Sequence, residues 1–167
     1  MAPPRQKPGK SQQDYETPPE LIEAVLRLLG VEEFRMDLAA DASNTKARNY
    51  IGVAGDSLSV EWGDLAEWEQ PSWNQWCWLN PPFAHILPWA RKCAESGIKV
   101  AFLVPASRGS IWYSEWVEPY CYVFDLKGRP SFDGKGPYPK DLMLCLYGTR
   151  FRGSSVWDWR REVPRAD

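Results

Sequence analysis

The sequence predicts an α/β domain built on one sheet, mostly parallel with an antiparallel pair at one edge. Three observations carry this. Short apolar runs of strand length alternate with helical segments from residue 34 onward. The last two apolar runs, CYVFDL (121–126) and DLMLCLYG (141–148), are separated by a Gly/Pro loop with no helix between them, which suits antiparallel neighbours. A length of 167 residues suffices for one sheet with its helices but not for two full-sized modules.

The elements follow in order. Residues 1–13, MAPPRQKPGKSQQ, hold almost no large apolar groups and read as a disordered tail. A domain is expected over 14–150, with 151–167 as a C-terminal extension. In "DYETPPELIEAVLRLLG", Thr17, Pro18 and Glu20 have the spacing of a capping-box start. Leu21, Ile22, Val25, Leu26, Leu28 and Leu29 form an apolar helical face, and Gly30 supplies the stop. FRMDLAA (34–40) reads as a short strand, and SNTKARN after it as a loop. WCWLN (76–80) is a strand running into NPPF, and a helix is expected from about Ile86, with Pro88 tolerated in its first turn. IKVAFLVPAS is a buried strand and GSIWYSEWVEPY a short helix; CYVFDL and, last, DLMLCLYG complete the sheet.

Composition limits the chemistry. The net charge of −2 lacks the overall basic footprint of a tight, sequence-independent nucleic-acid binder, so any such contact must be a local patch. Basic residues gather in the N-terminal tail (Arg5, Lys7, Lys10) and near the C-terminus (Arg150, Arg152, Arg160, Arg161, Arg165), where solvated tails account for most such groups. Cys77, Cys93, Cys121 and Cys145 form no C-x-x-C pair and His85 is the sole imidazole, which argues against a zinc site or a Cys/His nucleophile. No run approaches the roughly 20 apolar residues of a membrane span, and no signal-type core opens the chain, so the cytoplasm is the expected compartment. Ten Trp point to a dense core or to stacking surfaces.

In open α/β sheets ligands bind beyond the carboxyl ends of strands. Four segments fall there: Asp37–Asp41, Asp56–Leu58, Asn80–Phe83 and Pro105–Arg108. In NPPF, two prolines fix φ and remove two donors, leaving carbonyl acceptors beside the Asn80 side chain. Such acceptors suit an NH2 whose lone pair is delocalised into a ring, with Phe83 stacked on that ring. The structural alternative is a tight turn leading into the next helix.

ETPPEL (16–21), DLAAD (37–41), GDSL (55–58) and NPPF (80–83) resemble the cofactor and catalytic motifs of DNA N6-adenine methyltransferases. The order TPPELIEAV, DLAADASN, WLNPPF, LVPA, WY, GR-x-x-F and a final strand is similar to the small phage-type, Dam-like family, over about residues 14–148. The resemblance implies a compact Rossmann-like sheet, S-adenosylmethionine as cofactor, DNA as partner and no metal. It places Asn80, Pro81, Pro82 and Phe83 in catalysis, with Asn80 and the Pro81 carbonyl accepting from the target N6 amino group of a flipped adenine. It places Tyr15, Thr17, Pro18, Asp37, Ala39, Asp41, Asn44, Asp56, Ser57 and Leu58 around the cofactor. Asp37 would pair with the cofactor's ammonium, Asp56 would accept from its adenine, and amides at the helix start behind Thr17 and Pro18 would face its carboxylate.

Thr17 as a plain helix cap, and Asp37 and Asp56 as turn-formers, remain open readings. Only eighteen residues separate Asp37 from Asp56, so the second strand of the family pattern is abbreviated and the ribose-binding residue is unassigned. A Gly-rich loop after the first strand is absent, with DLAAD in its place. The resemblance makes Arg108, Trp112, Tyr113, Arg129 and Phe132 candidates for DNA contact, with Lys135 and Lys140 on a basic rim; inward packing of Trp112 and Tyr113 is the alternative. Rival functions are methylation of a protein glutamine amide, cytosine N4 methylation by the same chemistry, and an inactive binding domain of the same fold.

Overall fold

The computed structural model describes residues 16–52, 56–64, 75–132 and 136–161. One six-stranded sheet has the order β1-β2-β3-β5-β4-β6, from β1 (Met36–Asp37), β2 (Trp76–Leu79), β3 (Lys99–Pro105), β4 (Cys121–Leu126), β5 (Leu142–Tyr147) and β6 (Gly153–Trp157). β1, β2 and β3 run parallel; β5 is antiparallel to both β3 and β4; β6 pairs parallel with β4. The expected mostly parallel sheet with an antiparallel component is present.

Its placement differs from the expectation. β5 lies inside the sheet, and the edge is β6, a strand within the segment read as an extension. GSSVW carries too little apolar surface to announce a strand, and four of its five residues are exposed. It is held by pairing along its whole length with β4, from Tyr122 opposite Gly153 to Leu126 opposite Trp157, with Trp157 and Trp159 as buried anchors.

Helices cover both faces. Successive side chains of β3 alternate sides: Val100, Phe102 and Val104 join Cys77, Leu79 and Cys145 beneath α2 (Leu87–Ser96) and α3 (Ile111–Trp116). Ala101 and Leu103 join Trp76, Trp78 and Leu144 beneath α1 (Pro19–Leu29) and Trp157. Trp62, Trp76, Trp78, Trp157 and Trp159 are all buried, so much of the aromatic surplus is core. The four thiols are buried too, and burial pushes Cys77 up to about 12. Among the described residues no cluster of metal-binding side chains occurs, and no helix is long and apolar enough to cross a membrane.

The start of α1 corrects the capping-box reading. Pro18 is the N-cap, in extended conformation, and no side chain caps the helix. The amides of Leu21 and Ile22 both donate to the Pro18 carbonyl, and Thr17 turns elsewhere. Gly30 ends α1 as expected, with φ 70° in the left-handed region and its N–H on the Arg27 carbonyl.

Candidate active site at the carboxyl edge of the sheet

β1, β2 and β3 end at one edge, so Asp37, Asn80 and the Ala106–Arg108 turn emerge side by side. Residues 49–51 run beside 37–40: Asp37 N–H donates to the Asn49 carbonyl, and the amides of Ile51 and Ala40 close the ladder on the Asp37 and Ile51 carbonyls. Among the described residues the abbreviated second strand is thus reduced to a single bridge, Asp37 to Tyr50. Only Met36 and Asp37 of FRMDLAA form regular strand, though Arg35 and Leu38 still donate to β2 carbonyls.

Asn80 is the focus of this edge. Its Nδ2 donates to Thr17 Oγ1 at 3.1 Å, joining the start of α1 to the end of β2, and Thr17 is 2% exposed. Its Oδ1 is buried and has no hydrogen-bond partner among the described residues. A buried acceptor left open costs about 1–3 kcal/mol, which marks the site as one where something else donates. Phe83 is half-buried beside it in sequence, and its ring meets Tyr138 edge-on at 5.8 Å and 76°. Tyr138 in turn meets Phe132 at 5.3 Å and 65°. The 83–88 segment and Trp112 line an open cavity of about 340 Å³, toward the small end of ligand sites.

Asp37 is 3% exposed. Its Oδ2 accepts from the Lys46 amide at 2.9 Å and its Oδ1 from the Ala39 amide at 3.2 Å. Burial outweighs these two bonds and the nearby Lys46 charge, so the carboxyl is pushed up to about 6. Lys46 Nζ pairs with Glu16 at 2.6 Å, tying the ETPP segment to this loop.

The remaining candidates are placed as follows. Asp41 and Asn44 lock each other: Asn44 Oδ1 accepts from the Asp41 amide at 2.8 Å, and Asp41 Oδ1 accepts from the amides of Ser43 and Asn44. The Ser43 hydroxyl, which donates to the same Oδ1, and then the Ser43 and Asn44 amides hold the Asp41 carboxyl below its usual range. Asp56 is exposed at φ 48°, and no described residue donates a hydrogen bond to its carboxylate. Ser57 is buried and accepts from Trp62 Nε1 through its carbonyl and hydroxyl, and the Leu58 carbonyl accepts from Lys92 Nζ. At the start of α1, Pro18 and Pro19 carry no N–H and the next amides after Glu20 are used, so that end offers one amide rather than a nest. Tyr15 and Lys135 lie outside the described residues.

Two arginines expected on DNA are engaged by the protein itself. Arg108 Nη2 contacts both Asp125 oxygens at 2.7 and 2.6 Å, Nη1 donates to Tyr113 Oη, and the guanidinium lies over the Tyr113 ring. Arg129 Nε donates to Asp141 at 2.9 Å and Nη1 to the Pro139 carbonyl, fastening the two ends of the loop between β4 and β5. Tyr113 and Phe132 are buried, while Trp112 reaches the cavity. Sequence reasoning missed Tyr138, which sits among glycines and prolines; its one sequence signal is an aromatic six residues beyond Phe132.

The family described as DNA N-6-adenine-methyltransferase (Dam) matches residues 5–135, a stretch that includes Thr17, Asp37, Asn80 and Phe83. A protein named DNA N-6-adenine-methyltransferase from Haemophilus phage HP1 (strain HP1c1) is 24% identical over 85 residues, covering 48% of this chain and 43% of that protein. The match therefore spans less than half the length of that curated relative. No solved structure matches. Since the family match extends over well more than half of the chain, the protein belongs to the DNA N-6-adenine-methyltransferase (Dam) family.

Proposed function

We propose that this chain transfers a methyl group from S-adenosylmethionine to the N6 amino group of adenine in DNA, on a compact Rossmann-like sheet. The observation that carries this reading is the buried Asn80 Oδ1, which no described residue donates to while Nδ2 is held by Thr17. An exocyclic amine donating to Oδ1 and to the Pro81 carbonyl is drawn toward tetrahedral geometry, which frees its lone pair from the ring. Phe83, braced by Tyr138, offers the stacking face for the extruded base.

The residues at β1 fit the cofactor. A nearly closed carboxyl raised to about 6 is stabilised in its charged form by a cation, and the cofactor's ammonium is one. Asp37 would hold that group, with Asp56 exposed for the adenine end. When bound, S-adenosylmethionine supplies a sulfonium-borne methyl as the electrophile. The chain contributes alignment and fixed acceptors; no acid/base dyad is needed. Asn80 Oδ1 and the Pro81 carbonyl would hold the two N–H groups of the amine while its lone pair takes the methyl, and the proton it then gives up would pass to solvent.

Incubating DNA with tritiated cofactor and comparing Asn80→Ala with the unaltered protein tests this. Labelling is expected to fall about 10²-fold or more, as when a positioned polar group is lost. An unchanged rate removes Asn80 from the mechanism.

A further inference from the structure

From the charge placed along the carboxyl edge of the sheet, we infer that the C-terminal turn after β6, with the ends of the β4–β5 loop, forms the surface that grips the DNA backbone. The inference rests on the reading of the chain as acting on DNA. It assigns most of the gripping role to residues beyond the family match, which stops at residue 135: Lys140, Arg160 and Arg161 lie outside it, Lys127 and Arg129 within it.

The topology brings these residues together. β4 and β6 end side by side, Leu126 opposite Trp157, and Lys127 N–H donates to the Trp157 carbonyl. β5 starts at the same edge, with Leu142 opposite Pro105. Lys127, Arg129, Lys140, Arg160 and Arg161 are therefore gathered there, and all are exposed. Among the described residues the carboxylates at this place are Asp141, paired with Arg129, and Asp158, shared by Lys127 at 3.5 Å and Arg161 at 3.7 Å. Among the described residues five cations face two carboxylates there, in a chain whose net charge is −2. Nearby Arg108 and Asp125 cancel each other. Toward β1 the same edge carries Asp37 and Asp41 instead. The edge is thus polarised, anionic beside the proposed cofactor site and cationic beyond β5.

The cationic end is built rather than incidental. Arg160 lies over the Trp159 ring at 4.2 Å and donates to the Arg129 carbonyl at 3.1 Å. Trp159 is 2% exposed and packs on the α1 face of the core. Gly128 has φ +80°, and a Cβ there would come within 2.6 Å of Arg160 Nη1, so the backbone gives way to the guanidinium. Phosphate contacts of this kind position a duplex without reading its sequence.

The test is fluorescence anisotropy of a labelled duplex across a salt series, using Lys140→Gln/Arg161→Gln. The plot of log affinity against log salt should become shallower by about 2, at roughly 1 per lost phosphate contact. Affinity should fall by a similar factor on unrelated sequences, with cofactor binding unchanged. Arg48→Gln, an 88% exposed cation on the β1 flank, should leave slope and affinity in place. Unaltered binding by the double variant overturns the surface assignment, as does an equal loss in Arg48→Gln. If the unaltered protein binds no duplex, it is the DNA reading itself that fails.

Discussion

Thr17 and Asn80, 63 positions apart, are joined by one hydrogen bond in which the Asn80 amide donates and the Thr17 hydroxyl accepts at 3.1 Å. The two ends of a carboxamide have nearly the same shape, so a partner decides which faces the substrate. With Nδ2 held by Thr17, the acceptor end is the one left open.

Thr17→Val keeps the shape and removes the hydroxyl. Turnover should fall about tenfold, the equivalent of about 1.4 kcal/mol and within the range for one hydrogen bond. Cofactor affinity should hold, and Thr17→Ser should restore the rate. A loss of cofactor binding with turnover intact would place Thr17 at the cofactor instead.

Asp37 sets a pH dependence. Its folded pKa, about 6, lies above the ordinary 3.8, so the folded state holds the proton more tightly. Stability from this group is therefore full below about pH 4, declines as pH rises toward 6, and is gone above it, a loss on the order of 3 kcal/mol. Thermal melts of the protein against Asp37→Asn from pH 4 to 7 should show the gap moving in the variant's favour as pH rises. Calorimetry should show cofactor binding tightening through pH 6 and then levelling, because the ionised carboxyl pairs with the ammonium. Binding that weakens with rising pH contradicts this pairing.

Phe83→Ala should weaken methylation through loss of base stacking, about 1–3 kcal/mol, while cofactor affinity stays. Tyr138→Ala should give a smaller loss in the same direction, since it removes the edge contact that braces Phe83. Steady-state rates over a range of DNA concentrations distinguish these outcomes from a general loss of fold.

Arg108 and Asp125 should couple in a double-mutant cycle, using Arg108→Gln and Asp125→Asn. About a third of each side chain is exposed, so solvent screening limits the coupling to roughly 1 kcal/mol. DNA affinity should keep its salt slope in Arg108→Gln. A slope shallower by about 1 would return Arg108 to the phosphate surface.

Much of the central sheet was legible because β2 to β5 are continuous apolar runs bounded by turn residues, and α1 because its apolar spacing is helical and Gly30 stops it. β6 was not, because an exposed polar edge strand owes its conformation to the neighbour it pairs with. The same limit applied to Thr17: capping and bonding to Asn80 both suit a hydroxyl, and Pro18 taking the N-cap decided between them. Arg108 and Arg129 read as free cations since Asp125 and Asp141 lie 17 and 12 positions away, brought near by strand register alone. The placement of Asn80, Phe83 and Asp37 at one edge was legible, because Asp37 ends a strand, Asn80 and Phe83 follow one, and parallel neighbours end together.

The most direct test is to digest DNA labelled from tritiated S-adenosylmethionine to nucleosides and separate them. Label should travel with N6-methyldeoxyadenosine and vanish with Asn80→Ala. Label in cytosine, label in protein alone, or full N6 labelling by Asn80→Ala would contradict a buried amide oxygen that waits for an adenine amine.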